Sequence, residues 1–469
     1  MSSNWSVKKL GDLVTFLSGG TPSKSNKDYW NGEIPWISAS SMQSTRYHDS
    51  DLRVTSLGST NGTRLVPAET VLLLVRGGAL HNKIPVGITT REVTFNQDVK
   101  ALVPKSEDIT PYYLLAWLIS SRELLLGKVE NTGIGAGKLD TKILQDLDVP
   151  VPPKAELLRL ELFSKALDDK IILNQNINHT LEQMAQALFK SWFVDFEPVK
   201  AKIAVLEAGG SQEDATLAAM TAISGKDVNA LAIFEREHPA QYAELKATAE
   251  LFPSAMQDSE LGAIPKGWRG ASISEMGKVT CGKTPSKKEP EYYGSDVPFI
   301  KIPDMHGQLF VLKTNEYLSE VGSKSQLKKL VPANSICVSC IATIGVVSIT
   351  NEPSHTNQQI NSVTPHKSSL LYYLYFCMLG LKDHLHALGS AGSATLNVNT
   401  STFSGIKIAQ PDAKVLELFH AKCTHLFNEI KSLSVQTESL TQLRDTLLPK
   451  LLSGEITLPE AEQIISEEA

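Results

Sequence analysis

The chain has 469 residues, 42% of them hydrophobic and 20% charged, with 45 basic against 51 acidic side chains. At about 100 to 200 residues per domain this implies two to four folded units with ample core and excludes a disordered or fibrous chain. No run of about 18 apolar residues is present to span a bilayer, Met1–Val7 lacks the pattern of a secretory leader, and the five cysteines are too few and odd in number for a secreted disulfide framework, so a cytoplasmic protein with reduced thiols is expected.

The net charge of -6 is unevenly distributed. Residues 1–150 hold 16 basic and 15 acidic side chains, and residues 268–410 hold 13 and 9, leaving 16 and 27 for the rest. Because attraction to phosphate follows the local field rather than the total, a DNA partner is permitted for the two neutral-to-basic pieces.

In chain order, Gly19-Gly20-Thr21-Pro22 reads as a turn before a polar segment bearing lysines, Thr70–Val75 as a buried strand and Thr110–Leu125 as a helix. The same series then returns. Trp5–Met42 aligns without a gap to Trp268–Met305, with ten of 38 positions identical, among them Gly19/Gly282, Thr21/Thr284, Pro22/Pro285 and Lys24/Lys287. Chance would give about two or three. Leu65-Val66-Pro67-Ala68 recurs as Leu330-Val331-Pro332-Ala333, Asn96-Gln97 as Asn357-Gln358, and Tyr112-Tyr113-Leu114 as Tyr372-Tyr373-Leu374. Ser335–Ile341 repeats the strand and Ser368–Leu385 the helix, so the chain carries one mixed α and β domain twice; two copies near a period of 260 exclude a solenoid. Many of the shared positions need do no more than keep both copies folded.

A heptad pattern follows each copy. The first runs through Leu157, Leu160, Leu167, Ile171, Leu181 and Leu188, the second through Phe419, Leu426, Ile430, Leu433, Leu440 and Leu447. These two stripes, offset by 259 residues, predict a pair of long helices forming a coiled-coil seam. The first, from about Lys154 to Phe193, would be about 60 Å long at 1.5 Å per residue. The simplest geometry is an antiparallel pair with one domain at each end and an approximate two-fold axis. Asn174 and Asn178 fall at seam positions, where polar groups lower stability and fix register. Between them and the second copy lies an acidic stretch with helical bias at Ala215–Ile223 and Ala240–Leu251, which has no match in the other half.

Catalytic motifs fail on inspection. Gly133-Ile134-Gly135-Ala136-Gly137-Lys138 lacks the leading Gly and the trailing Ser or Thr of a phosphate loop, and Lys138 occupies the third glycine position of a dinucleotide fingerprint. Cys337-Val338-Ser339-Cys340 has metal-ligand spacing but no second pair, and its repeat partners are Leu72 and Val75, which favours packing. His384 and His386 stand equally unsupported as ligands. No catalytic residue and no metal site is assigned.

Two similar domains on a rod suit a target with two separated, unlike parts. Candidate DNA contacts are the loop cations Lys24 and Lys27 with Lys287 and Lys288, and further Arg46, Arg53, Arg76, Lys83, Lys301, Lys324, Lys328 and Lys329. Residues shared between copies cannot distinguish two half-sites, so Lys24 and Lys287 read as positioning contacts on phosphate.

Trp5–Met42 with its counterpart, Leu188-Phe189-Lys190-Ser191-Trp192-Phe193-Val194-Asp195-Phe196, Leu447-Leu448-Pro449-Lys450-Leu451-Leu452-Ser453-Gly454-Glu455-Ile456 and Leu261-Gly262-Ala263-Ile264-Pro265-Lys266-Gly267-Trp268 together resemble the specificity subunit of type I restriction-modification systems. The resemblance covers nearly the whole chain outside 200–259. It implies an α+β chain of two similar mixed α/β target-recognition domains separated by an antiparallel two-helix coiled coil with pseudo-two-fold symmetry. On that reading residues 1–152 and 267–411 are the recognition domains, 153–197 and 412–453 the spacer helices, 198–266 an acidic helical insert or linker, and 454–469 an acidic C-terminal tail. It further implies double-stranded DNA, two modification (methyltransferase) subunits and two restriction (translocase/endonuclease) subunits as partners. S-adenosylmethionine, ATP and magnesium would be used by those partners, with none bound by this chain. The competing expectations are a non-catalytic protein-binding scaffold, or a nuclease or methyltransferase in its own right.

Overall fold

The computed structural model describes residues 5–131, 135–390 and 396–468. It divides into two compact units, one of residues 1–175 with 436–469 and the other of residues 176–435. Each contains one copy of the repeated domain, here called a head, with parts of both long helices.

In the first unit the head is built on a five-stranded sheet with Val71–Leu74 near its centre, hydrogen-bonded on one side to Val99–Pro104 and on the other to Val86–Thr89. Val71, Leu72, Leu73 and Leu74 are all fully buried, because the strand is covered on both faces and so reads as a continuous apolar run. Arg46–Tyr47 adds a parallel edge to Val86–Thr89. A four-stranded sheet carries Trp30–Ile37. The predicted helix over 110–125 is two, Pro111–Ser120 and Arg122–Leu126, with Thr110 capping the first through the Tyr113 amide.

The second head repeats this order. Ile336–Ser339 takes the central place, flanked by Ile360–Pro365 and Val347–Thr350, and Phe310–Val311 forms the parallel edge. The likeness extends to single bonds. The Thr70 amide donates to the Thr89 hydroxyl at 2.9 Å and the Ser335 amide to the Thr350 hydroxyl at 2.9 Å. The tight turns before them place Glu69 and Asn334 at φ +62° and +61°.

Lys154–Phe193 (α1) and Ala413–Ser453 (α2) are each one helix, as the heptads predict. They run antiparallel within each unit. In the first, Asp168 on α1 meets Arg444 on α2 and Asn174 meets Gln436; in the second, Asn178 meets Ser434. Of the seam residues, Leu157, Leu160, Leu167, Ile171, Phe419, Ile430 and Leu447 are buried, while Leu181, Leu188, Leu426, Leu433 and Leu440 are half-buried. The seam is apolar near the heads and polar between: Leu157, Leu160, Leu447 and Leu451 join the first head's core, Phe419 and Ile430 the second's.

The acidic stretch folds into four helices, Glu197–Glu207, Gln212–Ser224, Val228–Glu237 and Pro239–Glu250, around Ala219, Met220, Leu231 and Ala249. Ser211 and Asp227 cap the second and third of these. The segment expected as a C-terminal tail does not run free: Leu458–Glu468 is a helix whose Ala461 is buried in the first unit's core. No single helix among the described residues is long and apolar enough to cross a membrane.

Candidate nucleic-acid interface

In each head the loop Gly19–Pro22 or Gly282–Pro285 lies against the strand end that carries the Asn-Gln pair. A Cβ on Gly19 would stand 2.2 Å from the Phe95 carbonyl oxygen, and one on Gly282 would stand 2.1 Å from that of Asn357, so only glycine permits the approach. Beyond it the Thr21 hydroxyl donates to Gln97 Oε1 at 2.7 Å and the Thr284 hydroxyl to Gln358 Oε1 at 2.5 Å. The loop is then closed from behind by a different side chain in each copy: Trp30 Nε1 donates to the Ser23 carbonyl and the Tyr293 hydroxyl to the Pro285 carbonyl. A rigid base thus presents a variable, solvated rim. Lys24, Lys27, Lys287 and Lys288 stand exposed on that rim without an ion-pair partner among the described residues.

The remaining candidates sort by what they touch. Arg76 and Lys328 are exposed and have no ion-pair partner among the described residues, and Lys329 is half-buried beside Lys328 on the turn Leu327–Lys329. Lys83 is exposed, its ammonium 3.4 Å from Gln43 Oε1. Lys324 pairs with Glu320 one helical turn away, and Arg53 with Asp49 at 2.6 Å. Lys301 pairs with Glu316 and lies over the Phe299 ring. Arg46 is the clear correction: its guanidinium is buried against Asp168 and Asp169 and faces the helices, not solvent. Sequence separations of 122 and 123 residues hid this pairing.

Cys337 and Cys340 are buried in and beside the central strand, and burial pushes each thiol up to about 11. His384 and His386 ride on Lys382–Ser390, and no group of three potential metal ligands forms among the described residues. The glycine-rich stretch Gly133–Lys138 lies partly outside the described residues. The Leu188–Phe196 motif supplies a core: Phe193 contacts Trp268, Tyr373 and Phe419 with ring centroids 5.9, 5.0 and 5.0 Å apart. It fixes the second head to the helix on which it grows.

Residues 2–183 and 265–432 match the family described as the type I restriction modification DNA specificity domain. The two matched stretches contain the two heads and leave all four helices of the insert between them. The chain is 45% identical over 362 residues to the type I restriction enzyme HindI specificity subunit of Haemophilus influenzae, across 75% of this chain and 79% of that protein. It is 24% identical over 467 residues to the MjaIX specificity subunit of Methanocaldococcus jannaschii, across 97% and 94%. The crystal structure of a type I restriction-modification S subunit from M. genitalium aligns with 96% of each chain at 13% identity and a TM-score of 0.47.

Proposed function

The chain belongs to the type I restriction-modification DNA specificity family, and from that premise we propose that it is the non-catalytic DNA-sequence specificity subunit of such a complex. Each head binds one half of an asymmetric bipartite target on double-stranded DNA, and α1 with α2 sets the gap between the halves. The observation that carries this reading is one scaffold used twice with unlike rims. Thr21–Gln97 and Thr284–Gln358 are matching anchors, whereas Lys27 and Pro290 differ at the rim and Trp30 and Tyr293 behind it. Shared lysines fix the head on phosphate, and divergent side chains read base edges.

The helices also dock two modification subunits and, through them, two restriction subunits. S-adenosylmethionine for adenine methylation, and ATP with magnesium for translocation and cutting, belong to those partners. This chain supplies placement and exclusion of wrong sequences.

Salt dependence separates this reading from a protein-binding scaffold. The logarithm of duplex affinity should fall linearly with the logarithm of salt, by about 0.9 for each phosphate neutralised. A scaffold would bind no duplex, and an enzyme would turn DNA over as the isolated chain. The spacer has its own test: one heptad added to each helix lengthens it by about 10 Å, on the order of three base pairs of rise, so the preferred gap should lengthen.

A further inference from the structure

Where the first head meets the helices, three segments converge on one carboxylate. Asp168 on α1 accepts from Arg46 Nη1 at 2.6 Å and from the Thr45 hydroxyl at 2.8 Å, both from the head, and from Arg444 Nη1 on α2 at 3.1 Å. The other arm of Arg46 donates to Asp169 at 3.0 Å, and Arg444 is held in turn by Asp445 at 2.8 Å. The side chains of Arg46, Asp168 and Arg444 are 11%, 4% and 6% exposed.

The second unit has the same three positions without a charge. Arg46 pairs with Ile88 across the parallel edge of its sheet and Phe310 with Ile349 across the corresponding edge, so the two are equivalent. The heptad offset of 259 places Phe427 at Asp168 and Ala185 at Arg444. Phe427 is fully buried and lies 6.2 Å from Phe310 and 4.2 Å from Tyr372, ring centroid to ring centroid. Tyr372 repeats Tyr112, over which Arg46 stacks at 5.5 Å. One fold has therefore solved one junction twice, once with directed ionic bonds and once with aromatic packing.

Buried ion pairs add little net stability compared with apolar groups of similar volume, and the second junction demonstrates that this fold accepts the apolar solution. What the ionic version adds is direction. A guanidinium fork between two carboxylates holds one orientation, whereas packed rings tolerate small rotations. We propose that Arg46, Asp168 and Arg444 are positioning residues that set the angle of the first recognition head on the spacer helices, and thereby sharpen discrimination between DNA gaps of different length. The proposal rests on the bipartite-target reading above.

The test uses the full chain assembled with its modification subunits, and duplexes carrying the mapped target with the gap lengthened or shortened by one base pair. The triple variant R46F/D168F/R444A copies the second junction into the first, and R46K keeps the charge while removing the fork. The complex with the natural chain should prefer its own gap by about tenfold, the scale of one wrong base pair. The triple variant should lose most of that preference while its affinity for a duplex bearing only the first half-site stays within about twofold, with R46K intermediate. Retention of full gap preference by R46K and the triple variant overturns the positioning role alone. If R46K loses half-site affinity in proportion to gap preference, the residues are merely structural and the proposal also falls. Absence of any gap preference in the natural complex overturns the bipartite reading itself.

Discussion

The two head-to-helix junctions differ in how they would fail. In the second unit Phe427 is one of many rings, with Tyr372, Tyr375, Phe376 and Phe310 all within 6.2 Å between centroids, so loss of shape is shared among neighbours. In the first, Asp168 bridges two buried guanidiniums whose other partners are the solvent-exposed carboxylates of Asp169 and Asp445, so loss of the bridging charge falls on groups that are themselves withdrawn from water. Nearby, burial and then the Arg444 charge already push the Arg122 guanidinium below its ordinary range. The lesson is that equal packing density does not mean equal tolerance: an aromatic junction resists polar substitution, and an ionic junction resists neutral substitution even of identical shape.

Asp168→Ala should therefore be the most damaging change at the first junction, costing about 3 to 5 kcal/mol by removing the buried bridge and leaving Arg46 and Arg444 only the exposed carboxylates of Asp169 and Asp445. Phe427→Ala should cost a similar about 3 to 5 kcal/mol through its cavity. The near-isosteric pair separates them. Phe427→Leu should cost roughly 1 to 1.5 kcal/mol, while Asp168→Asn should remain near the alanine value, both read from denaturant midpoints of the full chain. Equal costs for the two conservative changes would break the comparison.

Acid should act first on the second unit. His355 is buried on the parallel strand pair beside Phe299, hydrogen-bonded to the Ser323 hydroxyl, and burial lowers its pKa from 6.5 to about 4. Its folded pKa lies below its unfolded one, so the unfolded chain binds the extra proton as the pH falls from about 6.5 to about 4, and stability is lost across that window. Thermal scans between pH 7 and 4.5 should show the second unit's transition falling before the first's, and His355→Gln should flatten the slope.

The polar centre of the seam gives a change of opposite sign. Asn174 is fully buried and donates to Gln436 at 2.7 Å, yet its Oδ1 has no donor among the described residues, and the repeat places Leu433 at its equivalent position. Asn174→Leu with Gln436→Leu should stabilise the chain by about 1 kcal/mol in chemical denaturation, at the expense of register fidelity. The smallest effect is expected on the rim: Lys24→Ala should lower the slope of log affinity against log salt by about 1, with the stability of the fold unchanged.

Those parts of the fold that depend on local periodicity were legible in the sequence. The heptads from Leu157 and Phe419 marked both long helices, and the apolar run over 70–75 marked the central strand, because a repeat spacing fixes which face is buried. The four short helices of 197–250 were harder to read. Each buries few side chains, and the two bias segments marked only the second and fourth of them. The interface was least legible, since surface cations carry no pattern and their pairing depends on partners distant in sequence. One signal was present for Arg46: Asp168 stands beside seam residue Leu167 and aligns with Phe427, so a charge was occupying a core-facing position and needed a buried partner. Lys301 and Arg53 gave no such sign, because Glu316 and Asp49 lie in ordinary polar loops.

Mapping methylated adenines across the genome of cells that carry the complete system tests the central claim most directly. The account predicts one motif of two unlike short sequences, separated by an unspecified stretch of constant length and lost when either head is replaced. A single continuous or self-symmetric motif, or methylation indifferent to replacement of one head, would contradict it.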